Sequence, residues 1–113
     1  MATCIFCRIA AGEVPSQVVY QDEDVFVFRD VNPQAPTHVL IIPRKHIASL
    51  QELRPEDAML VGRLALAAPR IAEAENIAAS GYRLVVNTGP DAGQLVQHLH
   101  FHLLGGRPLR ALG

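Results

Sequence analysis

Apolar residues divide this chain into several short runs and one long tract. Runs 17–21 and 25–29, rich in β-branched and aromatic residues, flank the acidic triplet Asp22-Glu23-Asp24, which predicts a hairpin. The segment THVLIIP (37–43) predicts a third strand, stopped by Pro43. Its alternation puts His38, Leu40 and Ile42 on one face and Val39 and Ile41 on the other. Two prolines set the preceding loop, 31–36. Tract 54–76 has helical composition and opens with Pro55-Glu56-Asp57, residues suited to a first turn. Met59, Leu60, Leu64, Leu66, Ala67 and Ile71 form its predicted apolar face. Pro69 falls inside it and predicts a kink or break costing about 3 kcal/mol. GYRLVVNTG (81–89) predicts a fourth strand and HLHFHLLGG (98–106) a fifth. At the start, CIFCRIAAGEVP predicts a short helix facing inward through Ile5, Phe6 and Ile9 and ended by Gly12 and Pro15. The order of elements fits a single α+β domain over 1–113, with a five-stranded, mostly antiparallel sheet.

Composition narrows the class only slightly. Half of the 113 residues are hydrophobic and the formal net charge is −1. A chain of this length holds a substantial core. Its charge argues against a nucleic-acid or membrane partner held by bulk electrostatics. No segment approaches the roughly 18–20 apolar residues of a membrane span. No basic stretch precedes an apolar core as in a signal peptide. The expectation is a cytoplasmic protein. In a reducing compartment, the lone C-x-x-C of Cys4 and Cys7 reads as a metal half-site or an inert pair in preference to a structural disulfide.

The sharpest chemical signal is HLHFHLL. Three of the chain's five histidines, His98, His100 and His102, stand two residues apart. Residues two apart do not meet on a helix, but on a strand they share a face. The intervening Leu99, Phe101 and Leu103 then form an opposite, buried face. A solvated sheet surface is the bland alternative, and histidine is not a favoured strand residue. Metal binding is one chemical reading, although the outer two alpha carbons lie about 13 Å apart on a straight strand. Nucleophilic catalysis is the other. A neutral imidazole attacks phosphorus well, and neighbouring rings can donate to phosphoryl oxygens.

The pattern H-φ-H-φ-H-φ-φ at 98–104 resembles the signature of the histidine triad (HIT) family of nucleotidyl hydrolases and transferases. CIFCRIAAGEVP, DVNPQAPTHVLIIPRKHI, GYRLVVNTG, AGQ and HLHFHLLGGR resemble, in order, its Hint branch over residues 4–107. The resemblance implies the HIT-like fold, with one short N-terminal helix and one long helix. It implies hydrolysis of purine nucleoside 5′-phosphoramidates by a covalent nucleotidyl-histidine route, releasing a nucleoside monophosphate such as AMP or GMP. His100 would be the nucleophile, His102 would hydrogen-bond the phosphate, and His98 and His38 would orient and tune the cluster. Asp30 would take the ribose hydroxyls. Phe6, Ile9, Phe28 and Val31 would form the base slot, with core packing as the alternative. Asn87, Gly93, Gln94 and the backbone N–H of Leu95 would line the phosphate and leaving-group side. The family is also dimeric, through the long helix and strand 81–88.

The resemblance requires no cofactor for catalysis. Some family members that begin with C-x-x-C hold a structural zinc, and the matching ligands here are Cys4, Cys7, His46 and His98. Small buried thiols and a surface His46 are the alternative. Leu95 departs from the hydroxyl residue common at its position, which implies slower turnover or a different leaving-group preference. A dinucleoside polyphosphate hydrolase, a nucleotide-binding scaffold and a metal-buffering module are the competing readings.

Overall fold

The computed structural model describes residues 4–112; residues 1–3 and Gly113, the ends of the predicted domain, lie outside it. The elements are α1 (Ile5–Ala10), β1 (Val18–Gln21), β2 (Val25–Arg29), β3 (Thr37–Pro43), α2 (Ala58–Ala74), β4 (Tyr82–Val86) and β5 (Phe101–Gly105). The five strands form one antiparallel sheet in the order β1-β2-β3-β5-β4. The last strand thus inserts between the third and fourth, which brings the C-terminal histidines beside β3.

The hairpin forms where the acidic triplet predicts it. Asp22 Oδ1 accepts the backbone N–H groups of Asp24 and Val25, both at 2.8 Å, and closes the turn. β3 is buried at all seven positions because both faces of the sheet are covered. Val25, Val27, Val39, Ile41, Leu99, Phe101 and Leu103 pack under α2 through Leu64, Ala67, Ala68 and Ile71. On the other face, Phe26, Phe28, Leu40 and Ile42 pack under Phe6 and Ile9 of α1. The predicted division of β3 into two faces is therefore observed. Ile5 departs from expectation: it is largely solvent-facing.

The long helix also differs in detail. Pro55–Asp57 forms a 3-10 turn and the α-helix starts at Ala58. Asp57 holds this junction: its carboxylate accepts the Lys45 ammonium at 2.7 Å and the Arg54 N–H at 3.0 Å. Lys45 and then the Arg54 N–H hold its pKa below the usual carboxylate range. Pro69 does not break the helix, which runs through Ala74. Pro69 and Ala65, whose carbonyl loses its partner, are both exposed, so water can satisfy the freed group. Met59 and Leu66, 72% and 70% exposed, do not belong to the core face. They form a separate stripe seven residues apart, whereas Leu64, Ala67, Ala68 and Ile71 point into the sheet.

The fifth strand begins later than predicted, at Phe101 rather than at His98. Its ladder with β3 ends at the pair Ile41 and Phe101. One step further, Leu99 would face Pro43, which has no N–H to give. Leu99 N–H instead donates to Ile47 O at 2.6 Å. The alternation of sides survives without the ladder: Leu99, Phe101 and Leu103 enter the α2 core. Phe6, on the α1 side, packs against both His98 and His100.

Among the described residues no helix is long and apolar enough to cross a membrane. The two-sided core sets an expected cost for opening it. Leu64→Ala, fully buried against the sheet, should lower unfolding free energy by about 2–5 kcal/mol. Urea unfolding followed by circular dichroism should show a lower midpoint at unchanged slope. A loss well under 1 kcal/mol would contradict tight packing of α2 on the sheet.

Candidate functional site

The sheet order assembles all five histidines into one row. His38 on β3 and His102 on β5 are diagonal neighbours on the same face, since His38 pairs with Leu104 and Leu40 with His102. Their rings are 5.2 Å apart between centroids. His102 and His100 follow at 5.0 Å. His100 Nδ1 contacts His98 O at 2.7 Å, and the His98 ring stands 5.0 Å from His46.

The partners of each ring fix where its hydrogen sits. A carbonyl only accepts, so His98 Nε2 donates to Pro43 O at 2.8 Å and His100 Nδ1 donates to His98 O. The neutral His100 ring therefore carries its lone pair on Nε2. Gln34 N–H donates to His38 Nδ1 at 3.0 Å, which places the hydrogen of neutral His38 on Nε2. That N–H donates to His102 Nδ1 at 2.9 Å and lies 3.4 Å from Asp30 Oδ2. Neutral His102 then holds its hydrogen on Nε2. The row thus sets a lone pair on His100 beside a donor on His102.

Burial favours the neutral form of three of them, His38, His98 and His102. It lowers the pKa of His38 against the opposing pull of Asp30. It lowers that of His98, with the Pro43 carbonyl acting in the other direction. His102 is lowered to about 4 by burial, reinforced by the nearby His100 and His38.

A cleft of about 660 Å³ opens beside His38. Of the predicted base-slot and ribose residues, Ile9, Phe28, Asp30 and Val31 line it. Val31 is almost fully exposed at its rim. Phe6 does not line it. Its ring lies behind, edge-on to Phe28 at 5.4 Å and to His100 at 5.1 Å, where it walls the His100 ring. Pro15, Ser16, Gln17, Pro33 and Pro36 also line the cleft. Sequence reasoning missed them as cleft residues; Pro15 gave a signal only as a helix stop and the two prolines of loop 31–36 only as turn formers.

The residues predicted for the phosphate side lie in the segment between β4 and His98. Asn87 is half-buried just after β4. Gly93 adopts φ +84° at the end of the turn Pro90–Ala92, a conformation suited to glycine. Gln94 is buried and spends its amide on the backbone. Its Nε2 donates to Ala48 O at 2.8 Å and Val96 O at 3.0 Å, and its Oε1 accepts Gly89 N–H at 2.9 Å. It is thereby a clamp on this loop. Leu95 is 91% exposed.

Among the described residues, two groups of side chains have metal-ligand chemistry, each with ligand atoms within 4.8 Å of one another. In the first, Cys4 Sγ lies 3.3 Å from His98 Nδ1 and Cys7 Sγ 3.4 Å from His46 Nδ1. His98 Nδ1 bears a free lone pair, because Nε2 carries the hydrogen. Two thiols and two imidazoles in this arrangement suit a closed tetrahedral zinc. The second group, Asp30, His38 and His102, does not fit. His38 Nδ1 already accepts Gln34 N–H, so Nε2 has no lone pair to offer.

The sequence pattern of the HIT domain matches residues 11–109. The purine nucleoside phosphoramidase of Escherichia coli K12 is 51% identical over 105 residues, covering 93% of this chain and 88% of that one. The crystal structure of a HIT family hydrolase from Legionella pneumophila Philadelphia 1 superposes with a TM-score of 0.94 at 47% identity, covering 96% of each chain. That of a zinc-bound histidine triad family protein from Mycobacterium smegmatis gives 0.82 at 32% identity, covering 94% of this chain and 76% of that one. The histidine row and the match along nearly the whole sequence agree: this chain belongs to the HIT domain family.

Proposed function

We propose that this protein hydrolyses the P–N bond of purine nucleoside 5′-phosphoramidates. The phosphoramidase name of the E. coli relative supports the substrate class. The observation that carries the mechanism is the 2.7 Å hydrogen bond from His100 Nδ1 to His98 O. It leaves the Nε2 lone pair for attack, and the carbonyl stabilises the positive charge that the ring acquires as its Nε2 bonds phosphorus. His100 attacks the α-phosphorus, the P–N bond breaks, and the amine departs with a proton. His102 Nε2–H donates to a phosphoryl oxygen. Water then displaces His100 and releases AMP or GMP, so one hard displacement becomes two easier ones. Asp30 at the cleft mouth suits the ribose hydroxyls, and Phe28 and Ile9 suit the base. A second copy would cover the free edge of β4 and the Met59–Leu66 stripe of α2, the two surfaces the family resemblance assigns to a homodimer.

Cys4, Cys7, His46 and His98 would hold a structural zinc. Such an ion would brace α1 against the histidine row; its four ligand positions are filled by protein. Catalysis needs no metal in this reading.

His100→Ala should abolish turnover of adenosine phosphoramidate, with a loss of about 10⁴-fold or more. Quenched wild-type reactions should show by intact mass a covalent adduct of one nucleoside monophosphate, absent in the variant. Turnover without any such adduct, or its survival in His100→Ala, would sink the covalent route.

The lowered pKa of His102 has a stability consequence. Its ring is neutral in the fold down to about pH 4, whereas an unfolded histidine protonates near 6.5. Between these values the unfolded state binds more protons. The contribution is therefore complete above about pH 6.5 and is lost as pH falls toward 4. Wild type should lose about 1–2 kcal/mol more than His102→Asn across this window, the full shift being screened at a partly exposed ring. Urea titrations at stepped pH measure the difference; parallel curves would refute it.

Dialysed protein should bind one Zn²⁺, and Cys4→Ser should weaken binding at least tenfold in a competition with a chromogenic chelator. Turnover should survive chelation. Equal zinc affinity in the variant would remove Cys4 from the ligand set.

A further inference from the structure

α1 starts with two thiols on one side of its first turn. Cys4 caps the helix: its Sγ accepts the Cys7 N–H at 3.4 Å. Both sulfurs approach one atom, His98 Nδ1, at 3.3 and 3.6 Å. They lie within 4.8 Å of each other, and neither cysteine is fully buried. The Cys-X-X-Cys spacing at a helix start is that of dithiol–disulfide couples.

His98 makes the state of these sulfurs consequential. Its ring is fully buried, and its only hydrogen goes to Pro43 O. Nδ1 therefore needs a donor, which a thiol S–H provides and a disulfide cannot. Phe6, between the two cysteines in sequence, packs edge-on against Phe28, His98 and His100. A change in the first turn of α1 thus reaches the wall of the nucleophile through one ring.

The geometry points to a reversible dithiol–disulfide couple at Cys4 and Cys7, whose oxidised form withdraws the thiol donors from His98 and unseats α1 from His100. The oxidant is a low-molecular-weight disulfide such as oxidised glutathione. One cysteine thiolate attacks an oxidant sulfur and expels the first glutathione thiol. The second cysteine thiolate attacks the resulting mixed disulfide at the protein sulfur and expels the other. Two electrons pass to the oxidant, and the two protons of Cys4 and Cys7 end on the two glutathione thiols. The same sulfurs cannot also hold a metal, so oxidation and metal loading exclude each other. The thiol chemistry stands apart from the proposed hydrolase function; its effect on nucleotide affinity rests on that reading.

The test uses the full-length, chelator-treated chain, kept in dithiothreitol or equilibrated with oxidised glutathione. Intact mass should show a loss of about 2 Da on oxidation, reversed by dithiothreitol. Backbone amides of residues 5–10 should exchange with deuterium roughly tenfold faster in the oxidised form. Its dissociation constant for AMP, by calorimetry, should rise about threefold or more. Cys7→Ser should stop at a glutathione adduct on Cys4. Stable adducts without an internal bond in wild type would overturn the proposal. So would an internal disulfide that leaves exchange at 5–10 unchanged. If the reduced protein binds no AMP, the hydrolase reading fails, while mass and exchange still decide the couple.

Discussion

The site depends on a proline that cannot donate. Pro43 ends β3, and its missing N–H stops the ladder with β5 one step short of Leu99. Its carbonyl is then taken by His98 Nε2–H, and the His98 carbonyl by His100 Nδ1–H. Two backbone acceptors, neither used in the β3–β5 ladder, thereby set the tautomers of two rings. A ladder carried on to Leu99 would have used the Pro43 carbonyl for strand pairing.

Burial converts this arrangement into chemistry. Helices cover both faces of the sheet, and His98, His100 and His38 are buried on the α1 side. Desolvation disfavours the charged form of His38 and His98, so their lone pairs and N–H groups stay where the hydrogen bonds put them. The same coverage explains why β2 and β3 read as nearly continuous apolar runs. It also explains why Phe6 serves packing and site together: it belongs to the α1-side core and is the ring against which His100 rests.

Much of the fold is legible in residue order. The hairpin turn follows from Asp22, the third strand from THVLIIP and its proline, and the period-two histidines from their apolar alternates. Other features resist such reading because their outcome depends on distant groups. Pro69 looks like a helix breaker until Ala65 is seen to face solvent. Met59 and Leu66 look like core until α2 is placed on the sheet. Gln94 is expected on the phosphate side, but residue order does not show that its side chain bonds the carbonyls of Ala48 and Val96 and the N–H of Gly89.

What the sequence alone determined is the alternation that sends Leu99, Phe101 and Leu103 to one side and three imidazoles to the other. That follows from the extended backbone, whose side chains change sides at every residue whether or not a ladder forms. What only the tertiary structure decided is which histidine atom is free to react. β5 inserts between β3 and β4, bringing His38 to His102 and Pro43 to His98. A tautomer is a choice between two nitrogens of one ring, and residue type is silent on it. It is made by whichever donor or acceptor the fold delivers to each nitrogen.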